Sequence, residues 1–213
     1  MSQLAEHEPN DATPFLPDRR SLKALREAAA GCRGCHLWRH ATQTVFGEGA
    51  ARARVMLVGE QPGDREDRAG QPFVGPAGRE LDRALAEAGI DRGTAYVTNV
   101  VKHFKFQERG KRRIHATPKK FEVDACRPWL DEELRAVKPE ALVVLGATAG
   151  KALFGSKFTI RDARGRPFDS ELAPLVVATI HPSAILRAPD DEARQREREG
   201  LTEDLRLVTK ALG

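Results

Sequence analysis

Four short apolar runs constrain this chain more than any other feature: Val55 to Val58 between Arg54 and Gly59, Ala95 to Val101, Ala141 to Gly146, and Leu175 to Ile180. Continuous apolarity over so few residues, bounded by turn residues, is how a strand covered on both faces reads. The intervals between the runs are long enough for the helical crossovers that parallel strands require. The runs therefore specify an α/β fold: a three-layer α/β/α sandwich with a central, mostly parallel four-stranded sheet.

The intervals supply the helices. Ser21 is an N-cap for SLKALREAAA, whose Leu22, Leu25 and Ala29 share a face and which Gly31 ends. PAGRELDRALAEAGI, opening at Pro76, turns Leu81, Leu85 and Ile90 inward. Phe121, Ala125, Trp129, Leu130 and Leu134 recur at helical spacing to about Val137. Residues 147–154 make a short helix, and Arg194 to Leu212 closes the chain as a charged amphipathic one. Glu60 to Gly78 and Lys102 to Pro118 read as long loops. Residues 1–18, polar and interrupted by prolines, read as a loose arm, and 19–213 as one domain.

The net charge of +4 understates a local feature: Lys102, Lys105, Arg109, Lys111, Arg112, Arg113, Lys119 and Lys120 crowd one stretch. A basic stripe beside a pocket favours a phosphate-bearing partner. No run approaches the roughly 18 apolar residues of a membrane span, and the polar N-terminus lacks the apolar centre of a secretory signal. The expectation is a monomeric cytoplasmic protein with no membrane partner. The cysteines, Cys32, Cys35 and Cys126, are an odd and sparse set, which argues against a disulfide framework and for metal binding by the CxxC pair.

In an open sheet of this kind, ligands bind beyond the carboxyl ends of the strands. Those ends carry Gly59-Glu-Gln-Pro-Gly63, Asn99, Gly146 and His181-Pro-Ser183. The glycines let backbone approach a ligand, so the Gln61 and Asp64 amides can face a polar ring, although an ordinary turn has the same composition. Phe73 suits base stacking or plain core about equally. Asn99 offers a donor and an acceptor from one amide, as a pyrimidine edge requires, though asparagine alone is more often a turn residue. His181 stands at the rim, with Ser183 and Arg187 placed for phosphate contact.

Cys32, Cys35 and Cys126 need a fourth ligand, for which His103 is the best candidate; an iron-sulfur cluster or a Cys3His zinc site would then be possible chemistry, and three buried thiols that ligate nothing are the plainer reading. Arg109-Gly-Lys-Arg-Arg-Ile-His115 reads first as a solvated loop holding phosphates through Lys105, Arg109, Lys111, Arg112 and Arg113. The sharper reading makes His115 a nucleophile, since a neutral imidazole has a lone pair able to attack an electrophilic carbon.

Taken in order, GEQPGDRED, PFVGPAG, VTNVVKHFKF, GKRRIH and HPSAILR resemble the uracil-DNA glycosylase superfamily. Within it they resemble the iron-sulfur family 4 enzymes and their covalent-linking relatives called UdgX, from about Cys32 to Arg206. Family 4 enzymes typically have GEAPG where this chain has GEQPG, and a cysteine where it has His103. Those departures and the inserted Arg109–His115 loop match the UdgX group. The resemblance implies that Phe73 stacks on a flipped uracil, Asn99 bonds its edge, His181 stabilises negative charge on the departing ring, and backbone at Gln61 and Asp64 completes the pocket. Glu60 lies near the sugar, where it can polarise a water or His115. Cys32, Cys35, His103 and Cys126 hold a [4Fe-4S] cluster. The implied activity is excision of uracil from DNA, single-stranded DNA included among the candidate substrates, with His115 linking to C1′ of the abasic site. A turnover glycosylase in which His115 only touches DNA, and a non-catalytic nucleic-acid-binding module, are the competing readings.

Overall fold

The computed structural model describes residues 10–213. Its strands are β1 (Glu48–Gly49), β2 (Val55–Gly59), β3 (Tyr96–Asn99), β4 (Phe106–Arg109), β5 (Arg112–His115), β6 (Ala141–Leu145), β7 (Pro167–Ser170) and β8 (Ala173–Thr179). Its α-helices are α1 (Leu22–Ala29), α2 (Asp64–Ala69), α3 (Pro76–Ala88), α4 (Lys120–Val137), α5 (Ala147–Phe154), α6 (Ile160–Ala163), α7 (Ser183–Leu186) and α8 (Asp191–Leu212).

The main sheet runs β1-β3-β2-β6-β8-β7. The four expected strands are its parallel centre, but the sheet has six strands, not four, because β1 and β7 pair antiparallel at the two edges. Neither edge strand makes an apolar run. β1 is two residues long, and β7 opens with Pro167 and alternates exposed and half-buried positions, as a strand with one open side does.

Both faces of the centre are covered, which explains the unbroken apolarity. Met56, Val58, Leu142, Val144 and Val176 pack with Leu25 of α1 and with Trp129 and Leu130 of α4. Their neighbours Leu57, Val97, Val143, Leu145 and Val177 face the other way, onto Leu81 and Leu85 of α3 and Leu201, Leu205 and Val208 of α8. Ser21 caps α1 as expected, accepting from the Ala24 N–H at 3.3 Å. The last helix starts at Asp191 rather than Arg194, because Asp190 accepts from the Ala193 N–H at 2.7 Å and caps it earlier.

Three stretches expected to be irregular contain structure. α2 lies inside the loop 60–78, where its Asp and Glu residues mask a single helical turn and a half. The loop 102–118 folds into the β4–β5 hairpin, a separate two-stranded sheet with Phe106 opposite His115 and Arg109 opposite Arg112. Its turn is allowed by Gly110 at φ 58°. The loose arm proposed for 1–18 falls partly outside the described residues. Within them, Thr13–Phe15 forms a 3-10 turn, and the fully buried Ala12 donates its N–H to the Ala125 carbonyl at 2.8 Å.

Candidate active site

The parallel strands end together. Gly59 of β2 is opposite Asn99 of β3, and Leu145 of β6 is opposite Thr179 of β8, so Glu60, Gly146 and His181 all emerge at one edge of the sheet. They border a cavity of about 980 Å³ that is also lined by Phe73, Asn99, His115 and Thr148.

One wall of the cavity suits a flat polar ring. Asn99 is 2% exposed, and its Oδ1 has no hydrogen-bond partner among the described residues. A buried acceptor left unpaired costs about 1–3 kcal/mol, so this atom is poised for a ligand's donor. Gly59 makes the approach possible: a Cβ there would stand 2.5 Å from Asn99 Oδ1 and 2.6 Å from the Phe73 ring. Phe73 is buried and held at φ 58°, an uncommon conformation for a non-glycine residue. Its ring stacks on His181, with centroids 6.0 Å apart and planes 30° from parallel. Burial pushes His181 down to about 4, outweighing the nearby Glu60 charge, so its imidazole is neutral at physiological pH. The Ser183 N–H donates to His181 Nδ1 at 3.2 Å, which places the ring proton on Nε2 as a donor.

The other wall carries charge. Glu60 Oε1 lies 3.3 Å from His115 Nε2, and Thr148 Oγ1 donates to Glu60 Oε2. Burial opposes ionisation of Glu60, but the hydrogen bonds from His115 and Thr148, with the neighbouring imidazoles, outweigh it and hold the carboxyl below its ordinary range. The His115 side chain is 48% exposed, open to a reactant from the cavity mouth.

His115 reaches this place because the hairpin is strapped down by side chains. Gln61 Nε2 donates to the carbonyls of Lys105 and Ala116, each at 3.1 Å, while its Oε1 accepts from the Lys105 N–H at 3.1 Å, so one amide joins both ends of the hairpin. Arg113 donates to Asp64 at 2.5 Å and to Asp67 at 2.7 Å, and its guanidinium lies over the Phe104 and Phe106 rings. Asp67, fully buried, also accepts from the Thr42 N–H.

These contacts divide the basic residues expected to hold phosphates. Arg113 is committed to two carboxylates and Lys105 to Glu122, with side chains only 13% and 17% exposed, so neither belongs to an open DNA-facing surface. Ser183 is likewise occupied, bonded to His181 Nδ1 and to Arg187 at 2.8 Å each. Arg109, Lys111 and Arg112 are exposed at the hairpin tip, where Arg109 and Arg112 face each other across the strands. Like charges so placed repel, and a phosphate between them would offset that repulsion. Gln61 and Asp64 also line the cavity, but their side chains are used as straps, which leaves their backbone for a ligand.

Among the described residues, no group of three or more His, Cys, Asp or Glu side chains is already gathered in ligating geometry. Backbone and indole N–H groups nonetheless donate to two of the sulfurs, as they do to ligating thiolates. Cys32 Sγ accepts from the Trp129 indole N–H at 3.2 Å and the Gly34 N–H at 3.5 Å, and Cys126 Sγ from the Lys102 N–H at 3.2 Å. Burial pushes the Cys126 thiol up to about 12, against the nearby Lys102 charge. His103 is buried and held down to about 4 by that burial. Thr44 Oγ1 spends its proton on the Ala29 carbonyl and so accepts from His103 Nε2 at 2.9 Å. The Nδ1 lone pair is thereby left for a ligand.

Sequence reasoning missed Thr44, Glu66, Asp67 and Thr148. Glu66 accepts from the Gly63 and Gly75 N–H groups at 3.1 and 2.7 Å and so closes the loop that carries Phe73. The available signal was weak: acidic residues directly after a glycine-rich turn, at the start of a helix too short for its periodicity to show.

Comparison with known proteins agrees with this geometry. Residues 46–206 match the family model described as the uracil DNA glycosylase superfamily. A type-4 uracil-DNA glycosylase of Pyrobaculum aerophilum is 38% identical over 175 residues, covering 79% of this chain and 86% of that protein. Proteins of the same description from Sulfurisphaera tokodaii and Thermotoga maritima are 36% and 37% identical over 80% and 82% of this chain, and over 78% and 88% of their own lengths. With the matched segment spanning all four parallel strands and the cavity at their ends, the chain belongs to the uracil-DNA glycosylase superfamily.

Proposed function

We propose that this protein excises uracil from DNA in repair and that His115 then holds C1′ of the abasic site covalently, as the UdgX group does. The observation that carries the excision is the unpaired, buried Asn99 Oδ1 beside the Phe73–His181 stack. Uracil's N3–H is a donor and its O4 an acceptor, complementary to one asparagine amide; cytosine presents the opposite pattern and leaves that amide mismatched. Phe73 stacks on the extruded base, and His181 Nε2–H donates to the oxygen where negative charge develops as the C1′–N1 bond breaks.

On the sugar side, positive charge develops at C1′, and the Glu60 carboxylate offsets it. The C1′–N1 electron pair leaves with uracil as its anion, and an imidazole nitrogen of His115 then donates its lone pair to the cationic C1′ to form the new bond. The imidazolium formed loses its remaining N–H proton to solvent, and uracil takes one up. Arg109, Lys111, Arg112 and Arg187 hold the flanking phosphates, offsetting the few kcal/mol that base extrusion costs.

Cys32, Cys35 and Cys126, with His103 through Nδ1, are proposed to hold a [4Fe-4S] cluster that cross-links the turn 32–35, the chain after β3 and α4 without entering the reaction. Brown protein absorbing in the visible supports it, and a colourless zinc-loaded protein rejects it in favour of the zinc alternative.

The similarity to type-4 enzymes favours a second reading, conventional turnover with water in place of His115. Incubation with a uracil-containing oligonucleotide, followed by a denaturing gel and peptide mapping, separates the two. A shifted band mapping to His115 supports capture, free abasic product without that band supports turnover, and absence of uracil release leaves only a binding module.

A further inference from the structure

We propose that Thr148 is a positioning residue for Glu60, turning the carboxylate so that one oxygen faces His115 and the sugar. The inference rests on the roles given to Glu60 and His115 above.

The carboxylate is held at both oxygens. Thr148 Oγ1 donates to Oε2, and Oε1 stands 3.3 Å from His115 Nε2. A glutamate side chain has several rotatable bonds, and fixing one oxygen against a helix fixes the direction of the other. Thr148 is a suitable holder. It is β-branched, which restricts its own rotamers, and it lies in the first turn of α5, whose start is set by Gly146 at φ 90°. A Cβ at position 146 would stand 2.9 Å from the His181 Cβ, so the turn that starts α5 packs directly against His181, another neighbour of Glu60.

The titratable groups facing Glu60 are His115 of β5 and His181 after β8, while Arg187 and the α2 residues Asp64, Arg65 and Glu66 line the same cavity. The Thr148 hydrogen bond is one of the contacts that keep Glu60 ionised despite its burial, so its loss favours the protonated form.

Thr148→Val keeps the volume and the β-branch and removes the hydroxyl; Thr148→Ser keeps the hydroxyl. First-turnover uracil release and adduct formation are followed for the wild type and both variants on a uracil-containing oligonucleotide from pH 4 to 8. The acid limb of release moves to higher pH in Thr148→Val, with a rate about tenfold lower at the acidic end, the effect of one hydrogen bond to a charged group. Thr148→Ser returns both toward wild type. A Val profile that superimposes on wild type, or a Ser variant no better than Val, overturns the proposal. If the wild type releases uracil without any adduct, the capture by His115 falls, and the release profiles still decide the role of Thr148.

Discussion

The base-facing wall and the hairpin that carries His115 adjoin one another and are held in different ways. Asn99 and His181 stand at or just beyond the ends of buried parallel strands, and Phe73, on the loop closed by Glu66, packs against the end of β2, so that neither Gly59 nor Gly146 can carry a side chain without collision. The hairpin pairs only with itself and is fastened by Gln61 and Arg113. A wall fixed by the sheet core inherits the rigidity of the fold, whereas a strapped hairpin is positioned by a few side-chain bonds that can be cut one at a time. Excision and capture are therefore expected to be separable by mutation.

The largest expected effect is on the wall. Asn99→Ala removes the groups that pair with uracil and should lower first-turnover uracil release by about 10²–10³-fold, the usual cost of one preorganised polar contact, while hardly changing oligonucleotide binding by the basic tip. A release rate within a few-fold of wild type would break the assignment of this wall. The next effect is on the straps. Arg113→Ala frees Asp64 and Asp67 and loosens the hairpin, and a misplacement of about 1 Å can cost 10²-fold. Adduct formation should slow by up to roughly that factor while uracil release stays within a few-fold; equal losses in both would show that the two regions are not separable.

The smallest expected effect is a lack of pH dependence. His181 is depressed from its ordinary value to about 4, so it stays neutral as pH falls through the range where an exposed histidine protonates. Glu60 is held below its ordinary range and stays ionised over the same interval. Uracil release by wild-type protein should accordingly be level from pH 8 to about 5, with its acid limb lower still; an inflection near the ordinary histidine value of about 6.5 would place a different histidine in control.

The wall was legible in the sequence because buried parallel strands declare themselves by apolar runs and the residues after them fall at one edge by topology. Asn99 and His181 follow from that rule alone, and Glu60 from the glycine-rich turn after β2. The hairpin was legible only as a basic loop. Its strands are short and charged, and the partners that hold it, Asp64 and Asp67, lie in a helix of six residues whose acidic composition reads as loop. Arg113 and Lys105 show the limit of counting charges: both sit in the basic stretch, yet each is spent on a carboxylate distant in sequence. The edge strands escaped notice for a related reason, since a strand with one open side needs no continuous apolar run.

The most direct test is a side-by-side time course of free uracil and of the shifted band for wild type and His115→Ser on the same uracil-containing oligonucleotide. Separable excision and capture predict that the variant loses the band completely and still releases uracil within about tenfold of the wild-type rate, the wall being untouched. A variant that keeps the band, or one that loses uracil release together with it, contradicts the account.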